Sequence, residues 1–211
     1  MTVIVNAVGR RALLAGTTSL LLVGACRARS ANARPDLYNC EGCEAAEERS
    51  PTDLAWDVDI ARGHPGEPLI LDGTIFQTDG KTPAGGVVIY IHQTNAQGLY
   101  ANGEGTTEAA RRHGRLRGWA KTGADGRYRF ATIKPAPYPD MTMPAHIHLY
   151  IKESGRRPYY VDDVVFDGEH KVDAAYRKAQ ELRGGSGIVK LTRSPSGILL
   201  ARRDTVLERH P

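Results

Sequence analysis

Three cysteines in 211 residues are too few for a disulfide-stapled scaffold, and no apolar stretch reaches the ~20 residues that cross a bilayer as a helix. Charge of one sign is scarce too. Lys and Arg number 28 against 24 Asp and Glu, and the net +4 falls to +2 for residues 26–211 once Arg10 and Arg11 are set aside. That excess does not argue for a nucleic-acid partner. Internal repeats and low-complexity tracts are absent. With 41% hydrophobic and 25% charged residues, the composition suits one soluble globular domain with a small appendage.

The first residues read as an address. In GRRALLAGTTSLLLVGAC, the arginine pair precedes an apolar run of roughly 14 residues, from Ala12 to about Ala25. Residues 1–25 are therefore expected to be an export signal of the twin-arginine type. The VGAC ending at Cys26 fits a lipobox, whose cysteine is lipidated and becomes the new N-terminus. Cleavage without lipid is the alternative. Either route places the mature domain in the periplasm or at the cell surface, with a lipid on Cys26 as its only link to a membrane.

Cys40 and Cys43 form a lone C-x-x-C. Zinc would need a second ligand pair, and covalent haem would need His after the second cysteine, where Glu44 stands. An oxidising compartment favours a local Cys40–Cys43 disulfide, with free thiols or a redox role as alternatives.

Residues 26–68 are polar and rich in turn formers, an arm or linker, and 69–211 form the main domain. There, short runs of β-branched and aromatic residues alternate with turn signals, which predicts an all-β antiparallel sandwich of about eight strands. Strands are expected near 69–77, 86–93, 117–122, 127–133, 145–152, 160–166, 187–192 and 197–203. One short helix is expected near 170–182 in the C-terminal region. Asp125-Gly126 signals a hairpin.

His146 and His148, in PAHIHLYI, stand two residues apart on an expected strand. They share a face and lie roughly 6.6 Å apart, near enough to share one metal. Alone the pattern is weak. Upstream, however, run VVIYIHQTNAQGLYANGEG and then IKPAPYP. This ordered series closely resembles the intradiol ring-cleavage dioxygenases, over about 69–200.

The resemblance implies a ferric non-haem iron held by Tyr100, Tyr138, His146 and His148. It also implies a catechol-type substrate, O2 as co-substrate, and cleavage between the two hydroxyl carbons to a muconate-type diacid. Tyr138 matches the tyrosinate that leaves to let substrate bind and takes one of its protons, which makes it the catalytic residue of the set. Hard phenolate donors suit Fe(III) and resist its reduction. Family members often associate as dimers or larger assemblies.

Two departures bear on the substrate pocket. Met143 stands where the family places an arginine thought to stabilise developing negative charge, an effect typically worth ~3 kcal/mol. Arg111, Arg112, His113, Arg115, Arg117 and Lys134 are candidate substitutes. Asp163, or its neighbour Asp162, stands where a glutamine usually meets substrate. Losing a cation and gaining an anion disfavours carboxylated catechols and points to neutral or amine-bearing ones. Two alternatives to the enzyme stay open: a divergent iron or catechol binder, and a metal-free module, since DGTIFQTDGKTPAGGVVIYI also resembles carboxypeptidase-regulatory-like strands.

Overall fold

A computed structural model of the chain describes Met1 and residues 33–100 and 108–211. The expected export signal, 1–25, and Cys26 lie outside the described residues, apart from Met1. Two short 3-10 turns, Cys43–Glu47 and Pro51–Asp53, precede β1 (Asp57–Asp59), β2 (Pro68–Phe76), β3 (Val88–Gln93), α1 (Glu108–Arg112), β4 (Arg117–Lys121), β5 (Arg127–Ile133), β6 (His146–Lys152) and β7 (Tyr159–Phe166). Then follow α2 (Ala174–Ala179), β8 (Ile188–Val189), β9 (Leu191–Arg193), β10 (Leu199–Arg202) and β11 (Thr205–Val206).

The strands form two sheets. One runs β1-β5-β2-β10-β9, with β11 beside β2, and the other runs β4-β3-β6-β7-β8. The all-β sandwich is as expected, but it is not purely antiparallel: β1 pairs parallel to β5, β10 and β11 parallel to β2, and β8 parallel to β7. The expected strand at 187–192 is in fact two, β8 and β9, which belong to different sheets.

Asp125-Gly126 makes its turn, with Gly126 at φ 72° and Arg127 N–H donating to Asp125 Oδ1 at 3.1 Å. It does not make a hairpin. β4 pairs with β3 and β5 with β2, so the turn carries the chain from one sheet to the other. Ile75 N–H donates to the Gly126 carbonyl at 2.8 Å, and a Cβ there would come within 2.6 Å of the Ile75 carbonyl.

The second sheet is covered on both faces, which explains why β3 is buried along its whole length. Ile89 and Ile91 of β3, with Ile147, Leu149 and Ile151 of β6, enter the main core between the sheets. Their neighbours in alternation turn the other way. Tyr90 and Tyr150 pack there against Cys43, Ala45 and Ala46, with Cys40, Trp119 and Tyr160 at the margin. The N-terminal segment thus lies on the outer face, held by Trp119 Nε1–H donating to the Ala45 carbonyl at 3.0 Å and by the Arg117–Glu48 pair at 2.8 Å, while the Cys40–Cys43 disulfide closes a local loop within it.

Candidate metal centre

Alternation along β6 sends His146 and His148 to that outer face, two residues apart as expected. Tyr100 reaches them from a turn after β3. Asn95 Oδ1 accepts from the amides of Gln97 and Leu99 at 2.9 and 3.0 Å, and Gly98 continues at φ 75°. This turn is laced to the segment carrying Tyr138: Ala136 N–H donates to the Asn95 carbonyl at 3.1 Å, and Thr94 Oγ1 donates to the Ala136 carbonyl at 2.7 Å. A Cβ at position 98 would sit 2.0 Å from the Pro137 carbonyl. Only glycine permits this approach.

The four side chains converge. Tyr100 Oη lies 2.9 Å from Tyr138 Oη and 3.0 Å from His148 Nε2. His146 Nε2 lies 3.1 Å from His148 Nε2 and 3.2 Å from Tyr138 Oη. Two donors at right angles about one ion, each ~2.1 Å from it, stand ~3.0 Å apart.

The histidine tautomers sharpen the case. His146 Nδ1 faces the Pro144 carbonyl at 2.7 Å and His148 Nδ1 faces Asp163 Oδ1 at 3.0 Å. Both partners accept, so each imidazole carries its proton on Nδ1 and turns a bare lone pair inward from Nε2. The Tyr100 and Tyr138 hydroxyls can donate to these lone pairs, at 3.0 and 3.2 Å, and the 3.1 Å approach of the two nitrogens makes a place that suits a cation. Burial pushes both tyrosine phenols up and His146 down, so the pocket itself favours neutral side chains, and a bound cation is what would ionise the phenols.

Asp163 could be read as a third ligand beside the two histidines, since one atom from each lies within 4.8 Å of the others. Its contact with Nδ1, on the far side of the ring from Nε2, places it behind His148 instead. A β-bulge puts it there. Between the pairs Ile147–Val164 and Leu149–Val161, β6 carries one residue, His148, and β7 carries two, Asp162 and Asp163. Asp162 turns away to accept from the amides of Leu182 and Arg183, both at 2.9 Å. Burial pushes the Asp163 carboxyl up, but His148 beside it outweighs this and holds it below its ordinary range.

His92 is a residue the sequence reading passed over. It sits opposite His148 in the ladder, its ring stacked 4.3 Å from His148 and 3.7 Å from His113. Its Nε2 lies 3.2 Å from Tyr150 Oη, and Nδ1 is buried with no hydrogen-bond partner among the described residues. Burial, then the neighbouring histidines, keep it neutral. Tyr90-x-His92 facing His148-x-Tyr150 across β3 and β6 was the available signal.

A cleft of about 680 Å3 opens over Tyr100, Tyr138 and His148. Asp163 lines it, as expected. Met143, the other expected pocket residue, does not line it and is exposed, on an irregular segment where Met141 takes φ 56°. Of the candidate cations, Arg112 and His113 line the cleft, whereas Lys134 is paired to Glu169 at 2.6 Å.

Known proteins resemble this chain in sequence and in fold. A family model described as Dioxygenase matches residues 45–193. Catechol 1,2-dioxygenase 1 of Acinetobacter lwoffii is 31% identical over 147 residues, 59% of this chain and 45% of that protein. The 6-chlorohydroxyquinol 1,2-dioxygenase of Cupriavidus pinatubonensis is 32% identical over 117 residues, 48% of this chain and 41% of that one. The matched region thus spans less than half the length of either relative. Among solved structures, the dioxygenase domain of a dioxygenase carbohydrate-binding protein fusion from Streptomyces sp. SirexAA-E superposes with a TM-score of 0.52 at 25% identity, covering 74% of this chain and 90% of that one. Catechol 1,2-dioxygenase from Acinetobacter sp. ADP1 gives 0.54 at 24% identity, over 74% and 58%. The chain belongs to the intradiol ring-cleavage dioxygenase family.

Proposed function

We propose that this protein is an oxidoreductase that opens a catechol-type ring with O2, between the two hydroxyl-bearing carbons, to give a muconate-type diacid. The observation that carries the reading is the ring of Tyr100 Oη, Tyr138 Oη, His146 Nε2 and His148 Nε2, closed by contacts of 2.9 to 3.2 Å at the floor of a cleft. The two phenols and two neutral imidazoles would hold Fe(III), which supplies Lewis-acid activation of the bound catechol and accepts electron density from its ring.

The chain's own residues divide the remaining work. Tyr100 belongs to a turn fastened at Asn95 and Gly98 and stays in place as an anionic donor. Tyr138 lies on an irregular segment, touching His146 edge-on, and is the donor placed to yield its position to substrate. Its Oη then accepts one catechol proton. Asp163 and the Pro144 carbonyl hold the two imidazoles in the tautomer that binds. His92, stacked on His148, and Tyr150 behind it close the floor against water.

A binder of iron or catechol without efficient turnover is the second reading. Met143 favours it, because no guanidinium stands at the position where the family's arginine would act. We also propose that the protein works outside the cytoplasm, on the strength of Arg10-Arg11, the apolar run and Cys26, together with a disulfide at Cys40–Cys43. Fractionation and labelling with a radioactive fatty acid test that.

An iron assay with a visible spectrum, before and after anaerobic catechol, tests the site. Stoichiometric iron with a tyrosinate charge-transfer band that shifts on catechol supports the four-donor centre. Admitting O2 then separates turnover from binding. A protein that stays colourless after iron loading would defeat the dioxygenase reading and the iron binder, leaving only a metal-free catechol binder.

A further inference from the structure

The cleft is much larger than one catechol ring needs and lies in the size range that encloses a drug-sized molecule. Three of the four ring members, Tyr100, Tyr138 and His148, line it, together with Tyr150, Tyr160 and Tyr176. Exposed Glu41, Ala179 and Glu181 mark its mouth. A ring bound through both oxygens at the floor therefore leaves the space between the tyrosines and the mouth unfilled.

Charge says what kind of group fills that space. Glu41, Asp162, Asp163 and Glu181 line the cleft, against Arg112 as its one lining Lys or Arg among the described residues. Two of the carboxylates are committed within the fold, Asp163 to His148 and Asp162 to the Leu182 and Arg183 amides. The other two face the mouth. Arg112 lies 3.6 Å from Glu41, with both side chains more than half exposed, so that pair is weak. Glu181 directs Oε2 to Arg183 Nε at 2.7 Å, with Arg34 Nη1 3.9 Å and the Tyr160 hydroxyl 3.5 Å away, while Arg183 itself is buried with its guanidinium over the Tyr160 ring. A carboxylated substituent would thus meet carboxylates and find one partly neutralised cation. A cationic one would meet aromatic faces and two carboxylates, each partly neutralised by an arginine, against the single arginine that lines the cleft.

We propose that the cleft selects catechols carrying an extended, positively charged substituent, laid between Tyr160 and Tyr176 toward Glu181 and Glu41. The proposal rests on the dioxygenase reading, since the ring must be anchored at the floor for its substituent to reach the mouth. Substrates of this class are aryl-alkylamine catechols. The ring opens as it would for catechol, and the amine takes no part in the chemistry.

The test is anaerobic titration of the iron-loaded full chain with catechol, dopamine and protocatechuate, reading each dissociation constant from the shift of the charge-transfer band. Dopamine is expected to bind about tenfold more tightly than protocatechuate, and more tightly than catechol, from the sign of the mouth charges alone. The dopamine-to-catechol ratio should fall toward one at ~0.5 M salt. It should fall likewise in the Glu41→Gln, Glu181→Gln double variant, whose near-ultraviolet dichroism checks that the fold is kept. Protocatechuate binding as tightly as dopamine, or a ratio that survives the double substitution, overturns the proposal. A protein with no charge-transfer band fails at the earlier step and removes the dioxygenase reading, and this proposal with it.

Discussion

Asp163 Oδ1 stands 3.0 Å from His148 Nδ1 because β7 carries two residues where β6 carries one. The carboxylate fixes the imidazole's tautomer and raises its basicity toward an ion on Nε2. Asp163→Asn keeps an acceptor oxygen of the same shape and removes the charge. It should weaken iron binding about 10- to 100-fold in competition with a chelator and move the charge-transfer band, with little change in Tm. Unchanged chelator resistance and an unmoved band would show that the carboxylate is only structural.

His148→Gln removes a donor and also one of the two lone pairs that face each other at 3.1 Å. Iron and colour should be lost. The metal-free variant should be about 1–2 kcal/mol less stable than metal-free wild type, because the contacts of His148 with Tyr100 Oη and Asp163 Oδ1, both at 3.0 Å, go with the imidazole. Chemical denaturation of both metal-free proteins checks this, and a much larger loss would mean that the ring of donors is a hydrogen-bonded structural cluster.

Gly98→Ala places a methyl group 2.0 Å from the Pro137 carbonyl and forces a side chain onto a residue at φ 75°. The turn and the Tyr138 segment must separate. We expect a stability loss of about 2 kcal/mol or more, together with weaker iron binding, since the same contact sets the distance between the two phenols. Equal iron affinity in a destabilised variant would uncouple the turn from the site.

The pH dependence of the metal-free protein follows from two buried histidines. Burial, and then His148, push His113 down to about 4, and burial, then the neighbouring histidines, push His92 well below its ordinary value. In the unfolded chain both titrate near ~6.5. Between about pH 6.5 and about 4 the unfolded chain binds more protons, so stability is full above that window and falls as the pH drops through it. Urea midpoints at pH 7 and pH 4.5 measure the loss, and His113→Gln should shrink the difference. Equal midpoints in the wild-type protein would contradict the assignment.

The strands that bury alternating or continuous apolar residues, β2 to β7 and β10, were legible, and so was the set of four candidate donors that the structure brings together, because their spacing and flanks carry a family pattern. What escaped had no local signature. Asp57–Asp59 is polar and becomes β1 only because β5 offers it a ladder. The run at 187–192 breaks at Lys190 into strands of two sheets, a choice made by partners far away in sequence. Turn chemistry at Asp125-Gly126 specified the turn but not which strands its arms would join. At the site, the H-x-H face was readable, whereas the stack of His92 on His148 depends on which strands become neighbours. The role of Asp163 depends on a bulge that only the register reveals.

Tyr138, His146 and His148 lie within eleven residues of one another, while Tyr100 is 38 residues before Tyr138 and 48 before His148. A nascent chain can therefore present three donors as soon as that short stretch exists, but the fourth arrives only when β3 has paired with β6. Three clustered donors would hold an ion loosely, and the full four-donor grip would wait for sheet pairing; a chain folded without metal would still present Tyr100, Tyr138 and His148 to the open cleft, ready to be loaded afterwards.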